Sequence, residues 1–203
     1  MKNKKVIISF SGIDGSGKST QIDLINKELN KNDNVKILHI FGKGATLHSK
    51  VEENTGIKKL INILKNQNKK IFGFRLKFYM AIFFYFLESW IFYIKIILFE
   101  RKNILILDRY YYDYFVNQIS QEDKESSKLM KMNKFFPKLS LSFFFDVDEQ
   151  TSFHRKKEYN LDKLKKIRNN FSLCAKIING YVVDGKKKPE NITREILTKI
   201  KKL

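Results

Sequence analysis

The chain has 203 residues, 43% of them hydrophobic and 30% charged, so it is long enough to bury a substantial core and too apolar to stay disordered. Two prolines and nine glycines exclude collagen-like and low-complexity classes, and the single cysteine, Cys174, excludes an internal disulfide or a cysteine-built metal site. The net charge of +19 rests on 40 basic residues, only six of them arginine, scattered along the whole chain. A nucleic-acid site usually concentrates its charge and favours arginine forks, so no nucleic-acid partner is expected, and a small anionic substrate fits the charge equally well.

The elements follow in chain order. Val6–Ser11 is a β-branched apolar run that ends in a glycine-rich turn. Its apolar part is too short for a secretory core, which needs about 7–15 such residues. From Lys18 to Leu29, apolar Ile22, Ile25 and Leu29 recur at helical spacing. Val35–Ile40 reads as a second strand, and 57–66 and 73–100 read as helices. The aromatic stretch Phe78–Phe99 contains Glu88 and Lys95, which argues for a buried or dimer-forming helix and against a membrane span. Ile104–Leu107 is a third strand, apolar throughout, as when both faces are covered. Tyr110 to Met132 is predicted helical, with a break near 121–123. Leu141–Phe145 is a fourth strand and Tyr181–Val183 a fifth. Glu149–Glu158, Leu161–Ile178 and Pro189–Lys201 read as helices, the last with proline at its start. Short buried strands alternating with helices predict an α/β fold: a five-stranded parallel sheet with helices on both faces, in one domain spanning 1–203.

The decisive motif is Gly12-Ile13-Asp14-Gly15-Ser16-Gly17-Lys18-Ser19, which fits G-x-x-x-x-G-K-[ST] at every position between a strand and a helix. Such a loop turns successive backbone N–H groups toward phosphate oxygens, and the helix that follows adds its positive end. Gly12 to Ser19, with Thr20, are the expected ATP-binding residues. Lys18, read as lying on an exposed loop, can reach the β- and γ-phosphates, and the Ser19 hydroxyl suits Mg²⁺. Asn30-Lys31-Asn32-Asp33 spells a guanine-reading pattern, but it lies at the end of the first helix, too early in the chain for that role. The third strand runs into Asp108-Arg109-Tyr110. An acid at the tip of a buried strand lies at the sheet edge that carries the phosphate loop, where Asp108 can order magnesium and Arg109 can face phosphates.

With these residues the sequence resembles the thymidylate kinase family of nucleoside monophosphate kinases. The match runs over Phe10 to Gln21 and Asp108-Arg109-Tyr110, more weakly over Pro137-Lys138-Leu139, Phe145-Asp146-Val147 and Val183-Asp184-Gly185. The resemblance implies Mg·ATP as donor, a nucleoside monophosphate acceptor, a mobile lid, a cytoplasmic enzyme and often a homodimer. It also implies that Asp14 meets the acceptor's sugar hydroxyl, that Arg109 holds its phosphate, that Phe83 stacks on the base and that Gln118 lines the base pocket. Plain core packing is the other reading of Phe83. The lid cation falls on Arg155, with Arg168 next, within a short lid around 153–168. The bland alternative for that segment is a solvated basic face.

Four positions depart from the family's pattern. Phe41-Gly42-Lys43-Gly44 replaces an arginine turn after the second strand, leaving Lys43 as a point charge for the acceptor. Leu87 stands where an arginine reads the base, Asn117 where an aromatic crowds out a ribose 2′-hydroxyl, and Ser11 where glutamate is common. A Mg²⁺- and ATP-dependent kinase with Lys18, Arg109 and Arg155 as its catalytic cations is therefore expected, with thymidylate a mediocre acceptor. The rival readings are a kinase of the same fold acting on another small molecule, and a nucleotide-binding protein without turnover.

Overall fold

Strand β1 (Val6–Gly12) sends alternate side chains to opposite faces, Ile7 one way and Ile8 and Phe10 the other, all of them buried. Such a strand needs a layer on each side, and the remaining elements supply both. The computed structural model describes residues 5–30, 35–40, 74–120, 129–157 and 159–203, and their side chains apart from those of 74–82 and 118. The expected helix over 57–66 and the turn containing Lys43 lie outside the described residues.

In chain order β1 is followed by helix α1 (Lys18–Leu29), β2 (Val35–His39), α2 (Phe74–Phe99), β3 (Ile104–Asp108) and α3 (Tyr111–Ile119). A 3-10 turn at Lys131–Phe135 leads to β4 (Leu141–Asp146), α4 (Glu149–Arg155), α5 (Leu161–Ile178), β5 (Tyr181–Asp184) and α6 (Pro189–Ile200). The five strands form one sheet, all parallel, in the order β2-β3-β1-β4-β5. The strand count and most bounds agree with the sequence reading. The differences are at ends: α3 stops at Ile119, and α4 stops at Arg155 where Lys156 turns extended.

One face of the sheet packs Ile7, Leu105, Leu107 and Phe144 against Phe92 and Ile96 of α2, Tyr111, Phe115 and Val116 of α3, and Ile167, Phe171 and Cys174 of α5. The other packs Ile8, Phe10, Ile106, Phe143 and Phe145 against Ile22 and Ile25 of α1 and Ile192 and Ile196 of α6. Each fully buried Ile or Phe contributes about 1.5–3 kcal/mol, so these two layers dominate the stability of the sheet. Polar ties fix the outer helices. Lys5 Nζ bonds the Ile96 and Ile97 carbonyls at the end of α2, at 2.8 and 2.6 Å. Gln21 of α1 donates to the Pro189 carbonyl at 3.0 Å and accepts from Thr193 Oγ1 at 2.8 Å, joining α1 to α6.

The carboxyl ends of β1, β3 and β4 point the same way. Because β1 lies between β3 and β4, the loops leaving those strands diverge there and open a crevice.

Candidate active site

The loop between β1 and α1 occupies that crevice. It needs glycine at two positions for reasons the structure makes explicit. Gly12 has φ 140°, and a Cβ there would lie 2.5 Å from the Phe145 carbonyl oxygen of β4. Gly15 has φ 76°, and a Cβ there would press on Ser152 O at 3.0 Å and Arg155 Cβ at 3.2 Å. Helix α4 thus sits directly over the loop. Ser152 Oγ donates to the Asp14 carbonyl at 2.6 Å, and Arg155 Nη1 donates to the Gly15 carbonyl at 3.1 Å.

Lys18 is not on an exposed loop, as its place in the sequence predicts, but buried at 6% exposure. The loop curls around its side chain, so that Nζ donates to Gly12 O at 2.8 Å, Ile13 O at 2.7 Å and Ser16 Oγ at 3.2 Å. Burial, and then the nearby Arg109 charge, pull its ammonium down to about 8, against the opposing pull of Asp113, Asp14 and Asp108. Ser19 and Thr20, in the first turn of α1, are exposed.

Asp108 and Arg109 leave the end of β3. His39, its register partner at the end of β2, holds Asp108 Oδ2 through Nδ1 at 2.9 Å. Arg109 adopts φ 68°, a left-handed backbone that is uncommon for a side-chain-bearing residue, and its N–H bonds Phe10 O at 3.1 Å. Its guanidinium donates to Asp14 Oδ1 through Nη2, and its Nη1 lies 3.9 Å from Asp113 Oδ1. Burial opposes the Arg109 charge, yet Asp113 and Asp14 beside it raise its affinity for the proton. Lys156 Nζ stands 3.8 Å from the same Asp14 oxygen.

The structure therefore brings Gly12 to Thr20, Asp108, Arg109 and Arg155 to one edge of the sheet. Arg168 is committed elsewhere, forking onto Asp146 at 2.6 and 2.8 Å. Phe83 is 58% exposed on α2, which removes the core-packing reading. Leu87, one turn on, is 44% exposed, and Asn117 is half-buried on α3. Gln118 lies on α3, and its side chain is outside the described part. Three contributors escape the sequence reading: His39, Ser152 and Asp113. Asp113 had a visible signal, a lone acid within Tyr111-Tyr112-Asp113-Tyr114-Phe115-Val116.

The donor set fits magnesium held mainly by substrate. Ser19 and Asp108 offer hard oxygens, and among the described residues no group of three or more acids, histidines or cysteines could hold a cation unaided. Mg²⁺ suits a few protein oxygens completed by phosphates and water.

A phosphate loop between the first strand and helix of a parallel sheet, with an acid–arginine pair closing the adjoining strand, defines a P-loop nucleotide kinase fold. The sequence model of the thymidylate kinase family matches residues 10–196. The chain is 26% identical to a thymidylate kinase of Thermosipho africanus, covering 97% of this chain and 98% of that one. It is 24% identical to a probable thymidylate kinase of Saccharolobus solfataricus, covering 97% of each. The crystal structure of a thymidylate kinase from Ehrlichia chaffeensis matches its fold with a TM-score of 0.56 at 20% identity, over 97% of this chain and 99% of that one. The chain belongs to the thymidylate kinase family. It is an ATP-dependent nucleoside monophosphate kinase.

Proposed function

We propose that the chain transfers the γ-phosphoryl group of ATP to thymidylate and, with reduced selectivity, to other nucleoside monophosphates. The observation that carries this reading is the convergence of two cations on the phosphate loop: Lys18, curled onto its carbonyls, and Arg109, held by Asp14 of the same loop. Phosphoryl transfer asks for positioning and neutralised charge more than covalent chemistry, and two cations turned onto the reacting phosphates supply both.

In this reading the backbone of Gly12 to Thr20 cradles the donor phosphates, and Lys18 leaves its loop carbonyls to meet them. Arg109 leaves Asp14 to hold the acceptor phosphate, and the Asp14 carboxylate takes the acceptor's sugar hydroxyl. Arg155 exchanges the Gly15 carbonyl for the transferring group, with 153–168 acting as a short lid within a single kinase domain spanning 1–203. Ser19 and Asp108 would hold Mg²⁺, which supplies charge neutralisation at the donor phosphates when bound. The acceptor phosphate is already ionised, so no general base is assigned. Phe83 and Gln118 would face the base, and Lys43, outside the described residues, would add charge near the acceptor. Membership of the thymidylate kinase family supports a cytoplasmic enzyme. The exposed apolar face of α2 supports a homodimer.

Selectivity is where the residues depart from their relatives. Leu87 has no donor for a base carbonyl, and Asn117 leaves room beside a ribose hydroxyl and can bond it. A site that lacks the hydrogen bonds reading its substrate discriminates weakly. We expect measurable kcat/KM for thymidylate, with a preference over the other ribo- and deoxyribonucleoside monophosphates below about 100-fold, roughly 2.7 kcal/mol. A panel of acceptors assayed under one Mg·ATP condition decides it. No turnover with any nucleotide acceptor sinks the function, and a stronger preference for thymidylate sinks the account of Leu87 and Asn117.

A further inference from the structure

We propose that Asp113 is a positioning residue for the acceptor step: the fixed carboxylate onto which the Arg109 guanidinium turns when a substrate phosphate displaces it from Asp14. Asp113 is 1% exposed, on the first turn of α3, in the layer between α3 and β1. Its Oδ2 is fully engaged, accepting from Ser11 Oγ at 2.5 Å and from the Tyr110 N–H at 3.1 Å. Its Oδ1 is buried and has no hydrogen bond among the described residues. Buried acceptors are nearly always paired, so an orphan oxygen held rigidly beside a reaction site asks for an explanation.

The nearest donor explains it. Arg109 Nη1 lies 3.9 Å from that oxygen, about one ångström longer than a usual N–H···O hydrogen bond. What holds the guanidinium away is Asp14, which takes Nη2. Asp14 also faces Lys156 Nζ at 3.8 Å, so its carboxylate has a second cation to turn to. An incoming phosphate carries more charge than Asp14 and presents several oxygens to the planar fork. Once it takes Nη2, the backbone of Arg109 stays pinned by its bond to Phe10 O, and Nη1 closes on Asp113 Oδ1. Asp113 also lies within the field of Lys18 and Arg109 together, so it offsets the repulsion between two cations that must face one substrate. The carboxylate is thus satisfied in the loaded enzyme, and Arg109 is aimed by it.

This inference rests on the kinase reading above, and the tests keep the two apart. Asp113→Asn preserves an oxygen for Ser11 and Tyr110 but turns an amide toward Arg109. The expected result is a 10- to 100-fold loss in kcat/KM for thymidylate, with KM for ATP within about threefold of wild type and an unchanged Tm. Rescue is built into the geometry. Because Ser11 Oγ and Asp113 Oδ2 touch, the pair Ser11→Glu with Asp113→Ser returns a carboxylate to the same space from β1, and it should recover at least tenfold. A wild-type enzyme without nucleotide turnover defeats the kinase reading alone. The second readout therefore needs no turnover: ¹⁵N resonances of the Arg109 guanidinium, titrated with inorganic phosphate. Phosphate should slow their hydrogen exchange in the wild type and not in Asp113→Asn. The proposal is overturned if Asp113→Asn keeps its acceptor kcat/KM within twofold, if both substrates suffer equally and the double variant recovers nothing, or if the guanidinium responds to phosphate identically in both proteins.

Discussion

Lys18 shows how one side chain links the fold to the reaction. The same burial that gives it three loop acceptors also lowers its ammonium to about 8. Above that pH the free enzyme holds a neutral amine, which brings no positive charge to a phosphate. We expect kcat/KM for ATP to fall as pH rises through about 8, while kcat persists to higher pH because bound phosphates restore the charge. The sign for stability is opposite. A cation whose proton affinity is lowered by folding penalises the fold while it stays charged, and the penalty lifts as pH climbs from about 8 toward the unfolded value of 10.5. Lys18→Met removes that cation but strands Gly12 O, Ile13 O and Ser16 Oγ. It should fold with turnover lowered by several orders of magnitude. The Tm difference between wild type and Lys18→Met should move in favour of wild type between pH 8 and 10. A difference flat with pH would show that Lys18 is not desolvated, and near-normal activity would dismiss the loop as a catalytic site.

The contact between β1 and β4 sets the shape of the loop. Gly12 pairs with Phe145 in register, at a φ that side chains avoid and with no space for a Cβ. Gly12→Ala combines backbone strain with overpacking and should cost about 2–4 kcal/mol. Urea denaturation measures it, and a loss under 0.5 kcal/mol would mean the strand ends separate freely. Helices α1 and α5 were legible because their apolar residues recur on one face: Ile22 and Ile25 in the first, Leu164, Ile167, Phe171 and Cys174 in the second. Strands β1, β3 and β4 were legible because burial on both faces leaves them short runs that are mostly apolar. The phosphate loop was legible because its chemistry is local. The contacts of His39 with Asp108 and of Ser11 with Asp113 were not. Each joins residues 69 and 102 positions apart, and only strand order brings them together. The burial of Lys18 was missed for a related reason: a glycine-rich turn reads as exposed until its curl is known. Asn117 and Leu87 could be located on their helices but not weighed, since selectivity depends on an acceptor's pose.

At the scale of the molecule, α2 leaves one face uncovered. Ser89, Phe92 and Ile96 turn inward, while Trp90, Ile91, Ile94 and Leu98 form an exposed apolar stripe beyond the positions assigned to the acceptor. An exposed apolar stripe of this kind marks an interaction site. Pairing two copies through it sets two charges of +19 side by side. We therefore expect the protein to remain in solution without detergent and to sediment as a dimer whose dissociation constant falls as salt screens the repulsion. Ile94→Glu should yield a folded monomer. A wild-type monomer at 0.5 M salt would show that the stripe serves another purpose.

The position of β1 at the centre of the sheet also has a consequence in time. β1 leaves the ribosome first, yet its partners are β3 and β4, and β4 ends only at Asp146. At elongation rates of about 5–20 residues per second, the strand that carries the phosphate loop waits roughly 7–27 s for its second neighbour. Until β4 arrives, Val6 to Phe10 stays open along one edge even after β3 is available, and the loop beyond it has no β4 carbonyl against which to curl. The nucleotide site is therefore encoded early and assembled late. The pairing of distant strands sets the pace of folding, and a nascent chain cut short before β4 carries the whole motif without a nucleotide site.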